Sequence, residues 1–156
     1  MTNSQQIVTA LSEVEGLYHR LVFLVGETGS GKTMTLQDVS QQLDLQPLNV
    51  NLELSEQLLE LTAKQRTLQL PRFLEDLVSD KGQTVILDNI EILFDVDLQQ
   101  DPLRLLQRIS RNRNIVVAWN GRVADKKLIY AEPGHPEYRN YAAPDFIIVP
   151  TTRQEE

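Results

Sequence analysis

The sequence predicts an α/β fold of three layers: a mainly parallel five-stranded sheet held between helices. Two observations predict it. Short unbroken apolar runs, LVFLV at 21–25, TVIL at 84–87, IVVAW at 115–119 and FIIV at 146–149, read as strands buried on both faces. The segments between them carry apolar residues at helical spacing, and strands that alternate with helices build a parallel sheet. The length of 156 residues suits one compact unit with a single core over 1–156.

The elements follow in order. Ile7, Leu11, Val14 and Leu17 stand at helical spacing, so an N-terminal helix is expected within residues 1–20, from Ile7 to Arg20. Leu21 to Val25 is a buried strand that runs into a glycine-rich turn, and Lys32 to Leu43 follows as a helix. Leu48 to Leu52 (LNVNL) alternates apolar and polar residues, which predicts a strand with one face less buried. Ser55 then caps a helix to about Thr62. Pro71 to Ser79 reads as a further helix with Pro71 in its first turn. After the TVIL strand, Asp101 as N-cap and Pro102 at the first helical position start a helix that runs to about Arg111. Ile115 to Trp119 is a fourth buried strand, Leu128 to Ala131 a short edge strand, and Phe146 to Val149 the fifth apolar strand. The opening MTNSQQ and a polar tail over 150–156 are expected to fray.

Composition removes several classes of function. Apolar residues make up 41% and charged residues 24%, as in ordinary globular proteins. The absence of cysteine excludes a disulfide framework, a zinc knuckle and thiol catalysis. A net charge of −7 speaks against indiscriminate coating of DNA. Direct DNA binding is left to local basic patches: Arg104, Arg108 and Arg111 on one helix face with Arg113 beyond, and Lys126 with Lys127 on a loop. The start of the chain lacks a basic stretch followed by an apolar run, and no apolar run is long enough to span a bilayer. A cytoplasmic protein without a membrane segment is the expectation.

The glycine-rich turn is the most specific motif. Gly26, Glu27, Thr28, Gly29, Ser30, Gly31, Lys32 and Thr33 match GxxxxGK[ST] at every fixed position, after a strand and before a helix. Glycines let the backbone curl round phosphates, and the helix N-terminus adds partial positive charge. Lys32 reaches the outer phosphates, and the Thr33 hydroxyl ligates magnesium. The predicted fold is therefore that of a P-loop NTPase with ATP and Mg²⁺ as ligands. Asp88, at the end of TVILD, supplies the second acidic position that supports the metal.

The residue after Asp88 is Asn89, where many ATPases of the AAA+ type carry a glutamate that activates water. An amide does not take that proton at neutral pH. Glu91 on the same exit loop and Glu53 after the LNVNL strand are the alternative carboxylates, with Glu91 preferred. Asn120 ends the IVVAW strand. In an AAA+-like core that strand lies between the two phosphate-site strands, so Asn120 would meet the γ-phosphate or the attacking water; its other reading is an Asn-Gly turn. Arg122 and Arg139 fall in the interval from which an arginine finger reaches a neighbouring subunit, with Arg139 preferred. His135 has only His19 as a second imidazole, which is no metal site.

The stretches GETGSGKT, NLELSEQLLELTAKQR, LDNIEILFD, DPLRLLQRISRNR, AWNG and YAEPGHPEYRNY carry a resemblance. Over most of its length the chain resembles the small P-loop protein of type 3 BREX (bacteriophage exclusion) defence systems. The resemblance implies a prokaryotic cytosolic protein with an AAA+-like nucleotide-binding role. Its implied partners are a DNA methyltransferase, a larger ATPase and a phosphatase-like protein. Only seven residues follow Val149, so the C-terminal helical lid of full AAA+ proteins is not expected in this sequence. A homo-oligomer is expected, with a neighbour completing the site. Two further readings stand beside an ATPase or ATP-driven switch: a module that binds nucleotide without hydrolysing it, and a small-molecule kinase. No NKxD-type guanine motif supports a GTPase.

Overall fold

The fold is taken from a computed structural model, which describes residues 1–142 and 146–151. Residues 152–156 of the expected polar tail lie outside the described residues. The order is α1 (Asn3–Glu13), β1 (Leu21–Gly26), α2 (Lys32–Leu43), β2 (Leu48–Asn49), α3 (Val50–Leu58), α4 (Ala63–Ser79), β3 (Thr84–Asp88), α5 (Pro102–Ile109), β4 (Asn114–Ala124), β5 (Lys127–Tyr130), β6 (Arg139–Ala142) and β7 (Ile147–Pro150).

Five strands pair in parallel in the order β2-β3-β4-β1-β7, so β4 separates the strand that leads into the phosphate loop from the strand that ends in Asp88. This is the expected three-layer α/β arrangement, with β4 between the two phosphate-site strands as expected from the sequence. The sheet alternates its side chains between two cores. Leu21, Phe23 and Val25 of β1 point into the larger one, with α3, α4 and α5. Val22 and Leu24 point into the smaller one, with α1 and α2.

Four elements before β4 differ from the sequence expectation. The N-terminal helix begins earlier and ends earlier. Thr2 and Gln5 form a reciprocal capping box that starts α1, and a 3-10 turn at Val14–Gly16 ends it, so Leu17 is exposed rather than on the buried face. The LNVNL strand shrinks to two residues. The Asn49 side chain accepts from the Leu52 amide and caps α3, so alternation that reads as strand lies largely within a helix and Ser55 falls inside it. Pro71 sits in the middle of α4, which starts at a second capping box of Thr62 and Gln65. Proline removes the amide that would meet the Thr67 carbonyl. The Gln100 side chain supplies that donor instead, at 2.8 Å. Helix α5 keeps the expected Asp101 cap and Pro102 start but stops at Ile109.

The fourth strand does not end at Trp119. It continues through Asn120 and Gly121 to Ala124, turns at Asp125 and Lys126, and returns as β5, which pairs on its other side with β6. Both turn residues have positive φ, 52° and 61°, as a two-residue hairpin requires. The alternative reading of Asn120–Gly121 as a turn is thus set aside for continuous strand, and the Leu128–Ala131 edge strand is the middle of an antiparallel ribbon. Gly121 is needed there, because a Cβ would run into the Ile129 carbonyl and the Trp119 indole nitrogen. Trp119 anchors the ribbon by donating Nε1–H to that carbonyl at 3.0 Å. Among the described residues, no helix is long and apolar enough to cross a membrane.

Candidate functional site

The loop over residues 26–31 leaves β1 and enters α2. Gly29 and Gly31 have φ of 84° and 92°, left-handed values that favour glycine. Gly26 is required by space, since a Cβ there would strike the Ser30 and Thr151 side chains. The Lys32 ammonium is buried in the loop, donating to the carbonyls of Gly26 at 2.7 Å and Glu27 at 2.8 Å. Burial pushes its pKa below the usual lysine value, and the charges of Asp88, Glu91 and Glu27 oppose that shift. A phosphate oxygen entering the loop would replace the two carbonyls as the acceptor for this ammonium.

A helix start and a strand tip set the second half of the site. The Thr33 hydroxyl, in the first turn of α2, donates to the Asp88 carboxylate at the tip of β3, at 3.0 Å. A magnesium ion with octahedral ligands at about 2.1 Å places neighbouring oxygens about 3.0 Å apart. The Thr33–Asp88 pair therefore fits Mg²⁺ as the edge of such an octahedron. Among the described residues, no group of three or more His, Asp or Glu side chains could hold a metal by itself. A cation here would need further oxygens from phosphate and water, as magnesium at phosphate sites does. Thr28, Gly29, Gly31, Lys32, Thr33, Met34, Asp88, Asn89 and Asn120 line one cavity of about 360 Å³.

Asn89 has a positive φ of 54°. Asparagine tolerates this region better than glutamate does. The residue at this position therefore answers a backbone requirement. Its carbonyl accepts from the Asn51 amide at 2.8 Å, which ties the start of α3 to the end of β3.

Glu91 is brought to Asn120. One carboxylate oxygen accepts from Asn120 Nδ2 at 2.9 Å, and the other accepts from Asn51 Nδ2 at 3.0 Å. The strand register also sets Asn120 on β4 beside Gly26 at the head of the phosphate loop. Asn51 also accepts from the Ile92 amide through Oδ1 at 2.7 Å, so its amide is held in one orientation. Asn51 was not among the residues singled out from sequence. The available signal was its place just after Asn49, whose capping role turns LNVNL from strand into helix start.

The other expected residues lie apart from this cluster. Glu53 is in the first turn of α3, half-buried, rather than at the tip of a strand. Arg139 on β6 donates to the Gln100 carbonyl at 2.9 Å within its own chain. Arg122, two residues beyond Asn120 on β4, lines a cavity with Glu27, Thr28, Gly29 and Ser30 of the phosphate loop. Of the basic stripe only Arg104 and Arg108 lie on α5, which ends at Ile109; both are exposed, as is Arg111, which lies over the Tyr18 ring at 4.7 Å, while Arg113 pairs with Glu75 at 3.3 Å. Lys126 sits in the hairpin turn and Lys127 begins β5.

No protein-family model matches the chain, and no curated protein matches it. Among solved structures it is similar to the structure of C. elegans PCH-2, with 19% identity and a TM-score of 0.43, over 80% of this chain and 37% of that one. It is also similar to the structure of Rhizobiales Trip13, with 18% identity and a TM-score of 0.33, over 90% of this chain and 48% of that one. The chain thus spans less than half the length of either.

Proposed function

We propose that the chain binds ATP with Mg²⁺ and acts as a weak or partner-stimulated ATPase, or as a switch whose assembly ATP drives. The observation that carries this reading is the Thr33–Asp88 contact at 3.0 Å, beside a lysine buried in a complete phosphate loop. Residues 26–33 would hold the triphosphate, with Lys32 on the outer phosphates. Thr33 and Asp88 would hold magnesium, which when bound neutralises charge on the phosphate oxygens. Asn120 would orient the attacking water and Glu91 would take its proton. The water oxygen bonds to the γ-phosphorus as the bond to the bridging oxygen breaks, giving ADP, inorganic phosphate and a proton. A carboxylate has about four lone-pair positions. The two amides on Glu91 leave room for that water. Arg139 is assigned to the site of a neighbouring copy. The Gln100 carbonyl uses one of its several donors and fixes the guanidinium, leaving others for a phosphate.

A second reading has its own observation. Asn89, in a left-handed conformation, replaces the glutamate of many AAA+ ATPases, and both oxygens of Glu91 are engaged. A module that binds ATP as an assembly ligand without hydrolysing it fits those facts. In either case the resemblance to the small P-loop protein of type 3 BREX systems supports work in the cytoplasm in anti-phage defence. Its partners would be further copies, a methyltransferase, a larger ATPase and a phosphatase-like protein.

The test is a titration of fluorescent ATP with Mg²⁺ or with a chelator, and phosphate release measured over a range of protein concentrations. Magnesium-dependent binding that Lys32→Ala abolishes is the expected result. A wild-type protein that binds no nucleotide would refute the proposal. Binding without any turnover, even with partners present, would select the second reading.

A further inference from the structure

We infer that Arg122 contacts the terminal phosphate of a nucleotide bound in its own chain, and that Glu132 holds it off until that phosphate arrives. The inference rests on the proposed ATP site and adds to it a means of telling ATP from ADP.

Side chains on a strand alternate, so Asn120 and Arg122 share one face of β4. Glu27, Thr28, Asn120, Gly121, Arg122, Ala131 and Glu132 line a cavity of about 370 Å³ between the phosphate loop and the ribbon. Within it Arg122 Nη1 donates to Glu132 Oε1 at 3.0 Å. The two side chains are 37% and 74% exposed, so their pairing is weak and screened. A phosphate that accepts two parallel bonds from a guanidinium binds it more strongly than such a carboxylate does. Exchange from Glu132 to phosphate is therefore favourable once a phosphate lies within reach.

The backbone supports a device here. Ala131 has φ of 62°, a strained conformation for alanine, and it lines the same cavity. That bend comes just before Glu132 and the turns that follow, in which His135 N–H donates to the Glu132 carbonyl and Tyr138 N–H to that of His135. Transfer of Arg122 to phosphate removes one side-chain tie of this loop to the site. The presence of a terminal phosphate would thus be read as release of residues 131–138.

The experiment titrates fluorescent ATP and ADP with Mg²⁺ into the wild type, Arg122→Ala, Arg122→Lys and Glu132→Gln. Amide hydrogen exchange over 131–138 is followed alongside. Loss of a charge-assisted bond made only to the terminal phosphate should lower the ATP/ADP affinity ratio about tenfold in Arg122→Ala, with ADP affinity changed less than about twofold. Arg122→Lys should recover part of the ratio, and Glu132→Gln should raise it about threefold. Exchange over 131–138 should increase with ATP and not with ADP. A wild type that binds ATP, with the same ratio in both Arg122 variants, overturns the inference and leaves the ATP site standing. A wild type that binds neither nucleotide overturns both. Should Arg122→Ala fail to fold, Glu132→Gln decides alone, since its side chain is exposed, and an unchanged ratio there counts against the inference.

Discussion

Glu91→Gln is the sharpest probe of the proposed chemistry, because shape is kept and only the charge is lost. The Glu91 carboxylate accepts from Asn51 and from Asn120, at 3.0 and 2.9 Å. Asn51 cannot turn its amide without losing the Ile92 bond at 2.7 Å. The new amide must therefore direct its oxygen to Asn51 and its nitrogen to Asn120, whose own amide turns to accept. Two charge-assisted bonds become two neutral ones, a loss of about 1 kcal/mol each in a buried setting. Glu91 is half-buried, so the expected total is about 1 kcal/mol. For a chain of this length that lowers Tm by about 2–4 °C. Glu91→Ala leaves two amide donors without their acceptor and should cost about 2–3 kcal/mol. Hydrolysis should behave differently from stability. Removing a general base lowers the rate at least about 100-fold. ATP affinity in Glu91→Gln should stay within about threefold of wild type, because the residues that hold phosphate and metal are untouched. Phosphate release, fluorescent-ATP titration and thermal melts measure the three quantities. A rate near wild type in Glu91→Gln refutes the base assignment. A loss of affinity as large as the loss of rate would show that Glu91 serves binding instead.

Three further outcomes follow from the structure. Gln100→Ala should destabilise by about 1–2 kcal/mol in urea titrations by leaving the Thr67 carbonyl unpaired, and by clearly less in a Pro71→Ala background, where the helix regains its own donor; equal costs in the two backgrounds would show that Gln100 does not serve the proline. Tyr130 has its pKa pushed up to about 12 by burial and then by the charges of Glu91 and Glu137, and burial with the Asp101 hydrogen bond raises that of Tyr141 too. A raised folded pKa gives stability that is full below pH 10 and is lost as pH climbs toward 12, so alkaline melts should steepen in that window and flatten in Tyr130→Phe and Tyr141→Phe. Asn89→Glu should cost about 1 kcal/mol through its left-handed backbone and should leave hydrolysis within about threefold of wild type, whereas a tenfold gain would mean that the site had lacked a base.

The parts of the fold that were legible in the sequence are those fixed by local chemistry. LVFLV, TVIL and IVVAW are buried strands because unbroken apolar runs of that length have few other uses. Asp101 and Pro102 begin a helix because one caps and the other lacks an amide to satisfy. Where tertiary partners decide, the sequence pattern misleads. Pro71 reads as a first-turn residue, yet α4 runs through it because Gln100, 29 positions on, replaces the lost bond. Asn120 and Gly121 read equally well as a strand tip or a turn, yet the chain stays extended through both because β5 pairs with it and Trp119 bonds the Ile129 carbonyl. The phosphate loop was visible as a motif. Glu91 and Asn120 were legible one by one, but their contact and the part of Asn51 were not, since the three come from segments that only the fold brings together.

That sheet order also gives the missing glutamate a physical account. A carboxylate directly after Asp88 would sit at φ of 54°, where a glutamate backbone is strained. Asparagine relieves the strain, and its carbonyl takes the Asn51 amide. The chain then enters the 3-10 turn Glu91–Phe94, whose first residue is the carboxylate that reaches β4. Phe94, at the end of the same turn, stacks on Tyr130 at 3.5 Å and meets Trp119 edge-on at 5.2 Å. The turn that carries Glu91 is therefore packed against the strand that carries Asn120 and against the ribbon that follows it. A force on the ribbon has a packed path to Glu91 through Tyr130 and Phe94, and to Arg122 through the β4–β5 pairing. β4, which the antiparallel ribbon prolongs, thus carries both Asn120, proposed to orient the water, and Arg122, proposed to meet the terminal phosphate, while Glu91 reaches it from the packed turn after β3.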